Sequence, residues 1–301
     1  MSARPAGPHV VALGGGHGLA VTLQAVRRYA GRVTAVVSVA DDGGSSGRLR
    51  RIAGIPAPGD LRRCLVAMAG EESVWSRAFE YRFPSGDLQG HALGNLILAG
   101  LAEITGDFGA ALDLAGGLLG AVGRVLPATS VPVVLKAEVA GTEVVGQVNV
   151  SKSAGSISTV SIVPPDAPVP EEVVGALADA DQIVIGPGSL YTSVLAVCAV
   201  PGIRAALASR GRGRRVYVCN LRPQLPETAG FGPADHLRAV LDHGVPVDVM
   251  VAPAGGGPDD PGGEREDAAI LGVPVVAGPL ARADGGGHDV ENLAEILQHL
   301  T

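Results

Sequence analysis

Lysine and cysteine are scarce in this sequence, and their scarcity argues against several classes of protein. Of the 23 Lys and Arg residues only Lys136 and Lys152 are lysines, a bias that we attribute mainly to GC-rich coding. The three cysteines form no Cys-x-x-Cys pair, which argues against a disulfide framework and a structural zinc site. The formal net charge of -7 argues against a nucleic-acid partner, because binding to a phosphate backbone needs a basic patch.

Uninterrupted apolar runs of membrane-spanning length are also missing. The most apolar stretch, residues 93–125, is interrupted by Glu103, Asp107 and Asp113, and it predicts buried helices. Residues 1–8 contain no hydrophobic signal core. We therefore expect a cytoplasmic protein that does not interact with a membrane.

What the sequence does contain is a regular succession of short apolar strands and helices. Residues 9–13 and 33–40 are apolar runs of strand length, separated by a helical repeat at Leu19, Leu23 and Val26. This order predicts a βαβ unit and therefore a parallel sheet. Further strands are predicted at residues 182–185, 216–219, 247–251 and 273–276. We predict an α/β fold with a Rossmann-like, mostly parallel sheet sandwiched by helices.

Two segments depart from this succession. Residues 131–150 alternate between apolar and polar and contain Gly141-Thr142, so we predict a β-hairpin within a flap-like insertion at about residues 131–160. A segment rich in Gly, Pro and Asp at about residues 254–267 predicts a mobile loop. We expect one domain over residues 1–301, and the apolar content of 47% makes a homodimer a reasonable assembly.

The first candidate site follows the first strand directly, where a glycine-rich turn opens a helix. Glycines let the backbone approach a phosphate, and the helix N-terminus supplies free N–H groups. The spacing differs from Gly-x-Gly-x-x-Gly because Leu19 occupies the last glycine position, and a turn without a ligand is the alternative. The predicted phosphate-binding residues are Gly14, Gly15, Gly16, His17 and Gly18.

The second candidate site lies at the end of the second strand, where two acids precede a Gly/Ser-rich loop. An acid at this position in a dinucleotide fold accepts a ribose hydroxyl, and a pair of acids could instead hold Mg²⁺ beside phosphates. A solvated turn is the alternative. The candidate residues are Asp41, Asp42, Gly43, Ser45 and Ser46.

Four further segments carry polar candidates. Asp60 could cap a helix or contact a ligand. His91 and Asn95, four residues apart and predicted to share one helix face, suit polar ligand contacts or a capped helix start. A second strand–glycine turn–helix pattern predicts another phosphate-binding turn at Gly188, Ser189, Tyr191 and Thr192. Asn220 and Gln224, at the end of another strand, could add amide contacts to a base or a sugar.

Five of these motifs occur in the order found in a known family. Residues 14–19, 40–49, 58–62, 90–96 and 186–193 resemble the YvcK-like gluconeogenesis factors of the CofD-like superfamily, and the resemblance covers nearly the whole chain. It implies a cytoplasmic bacterial protein that is needed for growth and normal cell shape on gluconeogenic carbon sources. It also implies binding of UDP-sugars such as UDP-N-acetylglucosamine and a link to cell-wall synthesis. The YvcK-like branch is regarded as regulatory, with no assigned reaction and no catalytic residues.

Two other interpretations stay open, the first implied by the resemblance and the second by the glycine-rich turn and the strand-end acid. Related 2-phospho-L-lactate transferases move a phospholactyl group from a nucleotide-activated donor with Mg²⁺, and Asp41, Asp42 and Asp60 would then be the metal ligands. NAD(P) could bind as a ligand because, like a UDP-sugar, it carries a diphosphate between two rings. An oxidoreductase is disfavoured because the sequence has no Tyr-x-x-x-Lys pair.

The sequence departs from the family pattern at several positions. His17 stands where a small polar residue is common, and Gln147 stands where the family often has Glu. Residues 196–198 replace a Pro-Asn-Leu-like segment, which puts an expected amide contact in doubt. Residues 220–228 match in part, with Pro223 in place of Thr, whereas His288-Asp289 fits.

Overall fold

A sheet of seven parallel strands forms the centre of the computed structural model, which describes residues 7–70, 72–209, 211–254 and 271–301. The sheet order is β10-β9-β8-β7-β1-β2-β3. The strands are β1 His9–Gly14, β2 Arg32–Val37, β3 Arg124–Pro127, β4 Val134–Val139, β5 Thr142–Val145, β6 Ile157–Val163, β7 Gln182–Ile185, β8 Arg214–Val218, β9 Val249–Pro253 and β10 Val275–Gly278.

Helices follow most of the strands and flank the sheet, and α1 packs against α3 and against the C-terminal helix. The helices are α1 Gly16–Val26, α2 Gly44–Ala53, α3 Pro58–Met68, α4 Val74–Glu80, α5 Leu93–Thr105, α6 Phe108–Leu119, α7 Gln147–Lys152, α8 Glu171–Asp179, α9 Leu195–Cys198, α10 Pro201–Ala208, α11 Pro233–Asp242 and α12 Val290–His299. A single π-helical turn, Leu190–Val194, leads directly into α9.

Strand β1 lies in the middle of the sheet and is buried along its whole length. It pairs with β2 on one side, with Val10 opposite Val33, and with β7 on the other, with Val10 opposite Gln182. The chain therefore proceeds towards β3 on one side of β1 and towards β10 on the other. In open parallel sheets, ligands bind at such a reversal, beyond the carboxyl ends of the strands. The predicted α/β class and parallel sheet are confirmed.

The insertion, which occupies residues 134–163 in the structure, forms a separate antiparallel sheet in the order β5-β4-β6. The predicted hairpin is present: β4 and β5 pair across Ala140 and Gly141, whose φ angles of 48° and 77° suit a tight two-residue turn. Strand β6 and helix α7 were not predicted. Helix α7 has the sequence QVNVSK, which has little helix propensity of its own, and it depends on the neighbours described below.

The Gly/Ser-rich loop expected after the second strand, at residues 41–51, is wrong from Gly44 onward, because α2 begins there. Arg and Leu residues after Gly47 favour a helix, and Gly54 ends it in a left-handed conformation with φ 64°. The predicted mobile loop lies outside the described residues beyond Ala254.

Among the described residues, no single helix is long and apolar enough to cross a membrane. A bent pair, Leu190–Cys198 and Pro201–Ala208, has the length and composition, with an angle of 76° between its parts. Every residue of the first part is buried in the protein core, as are Ile203 and Leu207 of the second.

Candidate functional site

Four segments meet where β1, β2 and β7 end, and they bring several of the predicted residues together. A Cβ on Gly15 would lie 2.7 Å from Asp60 Oδ2 and 3.5 Å from the Ser193 Cβ. A Cβ on Gly59 would meet Ser46 Oγ and lie 3.4 Å from Asp41 Oδ2. We call these neighbours the central cluster: Gly15, Asp41, Ser46, Asp60 and Ser193.

The first glycine turn (residues 14–18) presents backbone and not side chains to the central cluster. Helix α1 begins at Gly16 with no side-chain cap; the Gly16 N–H is bonded to the Asp60 carboxyl, and the N–H groups of His17 and Gly18 remain available. Gly16 has φ 63° and no heavy atom within 4 Å of a Cβ placed there, so the space before it is open. Gly18 has a different role, because a Cβ there would overlap the Pro187 carbonyl. It therefore provides the close helix packing that the missing last glycine of the dinucleotide pattern would give.

Asp60 is buried at the centre of this cluster. The alternative that it caps its own helix is wrong, because α3 has Ala57 as its N-cap and Asp60 lies within the first turn. Its Oδ1 accepts a hydrogen bond of 2.7 Å from Arg63 Nη1. Burial raises the pKa of the Asp60 carboxyl, and the negative charge of Asp41 raises it further. The positive charge of Arg63 and a hydrogen bond from the Gly16 backbone lower this pKa, but burial is the largest effect. Asp60 therefore faces the N-terminus of α1 across the first glycine turn.

Asp41 and Asp42 have different partners, although they are adjacent in sequence. Asp41 Oδ1 accepts the Gly43 N–H at 2.9 Å, and its Oδ2 lies towards α3. Asp42 Oδ1 accepts the Val148 N–H of α7 at 3.0 Å, across 106 residues. One oxygen of Asp42 is therefore engaged by α7, and a shared role of both acids at a ribose or a metal stays a prediction. Over the described ranges, no three His, Cys, Asp or Glu side chains come together as metal ligands.

Ser45, His91 and Asn95 form one buried network. Ser45 Oγ lies 3.0 Å from His91 Nδ1, and Asn95 Nδ2 donates to Ser45 Oγ at 3.1 Å. His91 precedes α5 and does not share a helix face with Asn95; Ser45 connects them instead. Burial, together with the nearby Arg48 guanidinium, lowers the pKa of His91 and favours its neutral form. The Asn95 Oδ1 atom is buried without a hydrogen-bond partner.

The donors of the second glycine turn (residues 186–193) are already engaged. Glu227 Oε1 accepts the N–H groups of Tyr191 and Thr192 at 2.6 and 3.1 Å, and its Oε2 accepts the Thr192 hydroxyl at 2.9 Å. An anion at this helix start would have to displace a buried carboxylate. The donors of Tyr191 and Thr192 are therefore engaged in this structure, and the phosphate-binding turn at these residues stays a prediction.

Other residues predicted around the second glycine turn have structural partners too. The side-chain amide of Asn220 forms two hydrogen bonds with the Gly188 backbone. Its Oδ1 accepts the Gly188 N–H at 3.0 Å, and its Nδ2 donates to the Gly188 carbonyl at 2.8 Å. Tyr191 is buried, with its ring edge-on to Phe231 and His243. Ser189 is half-buried and precedes the π-helical turn. Of the side chains predicted at this turn, it is the one for which we describe no structural partner.

Glu227 is the residue that sequence reasoning missed as part of this site. The signal was its position at residues 224–228, which match the Gln-x-x-Glu-Thr end of the family pattern. The next residue, Thr228, is fully buried and its hydroxyl accepts the Gln224 N–H at 2.8 Å. A carboxylate 35 residues from its partner cannot be assigned to a helix start from spacing alone.

A side cleft of about 320 Å³ opens beside α1. It lies between His17 and Gly18 on α1, the segment at residues 220–224, and the turn at residues 285–288. The Gln224 Oε1 atom on its wall is buried and has no hydrogen-bond partner. His288, which we had not predicted as a site residue, lies 3.0 Å through Nε2 from the Cys219 carbonyl, and burial lowers its pKa.

Comparison with known proteins defines the class to which this fold and site belong. The chain is a member of the CofD family: the family model described as 2-phospho-L-lactate transferase CofD matches residues 10–260. Its relatives within that family carry the name gluconeogenesis factor. The Halalkalibacterium halodurans gluconeogenesis factor is 44% identical over 81% of this chain and 77% of its own length. A putative gluconeogenesis factor from Mycobacterium tuberculosis is 42% identical over 96% and 89%.

The solved structures agree with this assignment. A crystal structure of a member of the UPF0052 family from Bacillus halodurans matches 97% of this chain and 98% of its own, with a TM-score of 0.91 and 38% identity. The predicted resemblance to the gluconeogenesis factors of the CofD-like superfamily is therefore confirmed.

Proposed function

We propose that this protein binds a nucleotide sugar of the UDP-N-acetylglucosamine type at the carboxyl edge of its sheet. One observation carries the proposal: α1 and α2 both begin without a side-chain cap at the ends of adjacent strands, next to the central cluster. Free N–H groups and the positive ends of two helix dipoles favour a diphosphate there. The side cleft alongside α1 has room for a ring attached to that diphosphate.

The role that we propose is regulatory. Relatives at 40–44% identity are named gluconeogenesis factors, which supports a role in growth on gluconeogenic carbon sources. The proposal extends to cell-wall synthesis and cell shape, since a UDP-amino sugar is a precursor of cell-wall polymers. Within it, the bound nucleotide sugar reports the supply of precursor to a protein partner.

A Mg²⁺-dependent transferase of the 2-phospho-L-lactate type is the second candidate, and one observation favours it. Asp41 and Asp60 approach each other beside the anion-binding helix start. Mg²⁺ is typically held by one or two carboxylates together with substrate phosphates, so these two side chains fit the ion. Asp42 does not join them, because its carboxylate is bound to α7. In the transferase, Mg²⁺ would neutralise the charge of the substrate phosphates. NAD(P), which also carries a diphosphate, could occupy the site proposed for the nucleotide sugar.

Calorimetric titration of the full chain with UDP-N-acetylglucosamine tests these alternatives. We expect binding of the UDP-sugar without Mg²⁺ and without turnover, and weaker binding of NADP⁺ measured in parallel. Failure to bind the UDP-sugar, combined with Mg²⁺-dependent binding of another nucleotide, would replace the regulator with the transferase.

Substitution of Gly16 with alanine is expected to weaken UDP-N-acetylglucosamine binding at least about tenfold, or ~1.4 kcal/mol. The new methyl group would project into the open space where the phosphate approaches. The left-handed backbone at φ 63° adds about 1 kcal/mol of strain, which lowers stability.

Gly120→Ala is the matched control for Gly16→Ala. Gly120 has φ 62° and equally open surroundings, but it ends α6, away from the side cleft and the central cluster. Both variants should lose similar stability in urea, and only Gly16→Ala should lose affinity. Equal affinity of the two variants would remove the first glycine turn from the binding site.

A further inference from the structure

Helix α7 of the insertion contacts two of the segments that border the central cluster: the loop that begins with Asp41 and Asp42, which we call the acidic loop, and the second glycine turn. Its Val148 N–H donates to Asp42 Oδ1 at 3.0 Å, and the Gln147 side-chain amide reaches the Thr192 carbonyl at 3.5 Å. The N-terminus of α7 is held to the small sheet by Gly146, whose N–H donates to the Leu135 carbonyl of β4 at 2.7 Å. The insertion therefore touches the site through a helix of six residues.

The Asp42 carboxylate fits closely against the start of α7. Its Oδ2 would lie 2.6 Å from a Cβ on Gly146, so a side chain at position 146 would displace the carboxylate from its present place. Gly146 also has φ 100°, a conformation that side chains disfavour. On the other side of the contact, a Cβ on Gly43 would lie 3.0 Å from the Val148 side chain. Two glycines thus allow the acidic loop and the insertion to approach each other.

The position of Asp42 places this contact next to the start of α2. Gly43, the residue that follows it, is the N-cap of that helix, and a Cβ on Gly47 would overlap the Asp42 carbonyl. A shift of Asp42 therefore moves the free N–H groups that the proposed function assigns to a phosphate. The opposite also holds: an anion that orders the start of α2 orders the Asp42 carboxylate and the helix bound to it.

We propose that Asp42 is a positioning residue that fastens the insertion to the acidic loop, so that a bound nucleotide and the insertion stabilise each other. The hydrogen-bond acceptor at Oδ1 carries this role, and the negative charge does not. The coupling to a ligand rests on the proposed function; the attachment of the insertion does not.

Hydrogen exchange of the full chain, followed by mass spectrometry, tests the attachment in the free protein. In Asp42→Ala the acceptor is lost, and peptides covering residues 142–152 should exchange at least about tenfold faster, the change that corresponds to ~1.4 kcal/mol. Asp42→Asn keeps an oxygen that can accept the Val148 N–H and should retain exchange close to that of the unmodified protein. Unchanged exchange in Asp42→Ala, or equal acceleration in both variants, would overturn the proposal.

Addition of UDP-N-acetylglucosamine tests the coupling. The sugar nucleotide should slow exchange of residues 142–152 in the unmodified protein, and Asp42→Asn should recover most of the affinity that Asp42→Ala loses. An Asn variant as defective in binding as the Ala variant would assign the charge to the ligand or to a metal and overturn the coupling. If the unmodified protein binds no UDP-sugar, the proposed function fails, and the exchange of the free variants still decides the attachment.

Discussion

Replacement of Glu227 with alanine is expected to lower the free energy of unfolding by about 3 kcal/mol, because it leaves three donors at the start of the π-helical turn without an acceptor. These donors are the N–H groups of Tyr191 and Thr192 and the Thr192 hydroxyl, and all of them are buried. A buried donor without a partner costs ~1–3 kcal/mol, and partial access of water to the new space reduces the total. Equilibrium unfolding in urea measures the difference.

Glu227→Gln provides the control for this prediction. Its carbonyl oxygen can still accept the two backbone N–H groups, and its amide can donate to the Thr192 hydroxyl, so the loss should stay below about 1 kcal/mol. If the two substitutions cost the same, the charge of Glu227 and not its hydrogen bonds would stabilise the turn. The second glycine turn would then be an anion-binding turn whose anion is the Glu227 carboxylate itself.

Substitution of Asp60 with asparagine is expected to raise the urea midpoint at pH 7. Burial raises the pKa of the Asp60 carboxyl, so its ionised form is disfavoured in the folded protein. The folded state then holds a proton more tightly than the unfolded state, and stability falls as the pH rises from 3.8 through the folded pKa. Asparagine removes this penalty, and with it the acid that borders the first glycine turn.

Asp248→Asn should behave in the opposite way. A side-chain hydrogen bond from Arg215 lowers the pKa of Asp248, so its carboxylate contributes stability at neutral pH that is lost as the pH falls through the folded value. Urea unfolding of both variants at pH 7 and at pH 3.5 separates the two signs. A destabilised Asp60→Asn protein at pH 7 would show that the ion pair with Arg63 outweighs burial.

The parallel class of the sheet and most of its strands could be predicted from the sequence because each prediction rested on local patterns, whereas β3 and the strand order were not predicted. Apolar runs at residues 9–13 and 182–185 mark strands that are buried on both faces, and the glycine turns after them mark the carboxyl edge of the sheet. The segments that meet in the central cluster were identified for the same reason, since each follows a strand or opens a helix. Only Ser193 entered without being singled out.

The partners of these residues could not be predicted, because they lie far away in the sequence. Asp42 and Val148 are 106 residues apart, and nothing in the Asp-Asp pair distinguishes the acid that binds α7 from the acid that faces Asp60. Glu227 illustrates the same limit: the Gly-Pro-Gly-Ser pattern predicts free donors, but their acceptor comes from another loop. Local chemistry predicted where polar groups would gather, and only the fold determines which of them remain free.

The pairing of β1 with both β2 and β7 has a consequence for synthesis of the chain. The N–H of His9 at the head of β1 bonds to Asp181, 172 residues later. At the usual rate of translation of ~5–20 residues per second, the buried strand β1 waits roughly 10–30 seconds for its second neighbour. During that time it presents an unpaired edge to other nascent chains. The late arrival of β7 therefore leaves one edge of β1 open to contacts with other chains until residues 182–185 have been made.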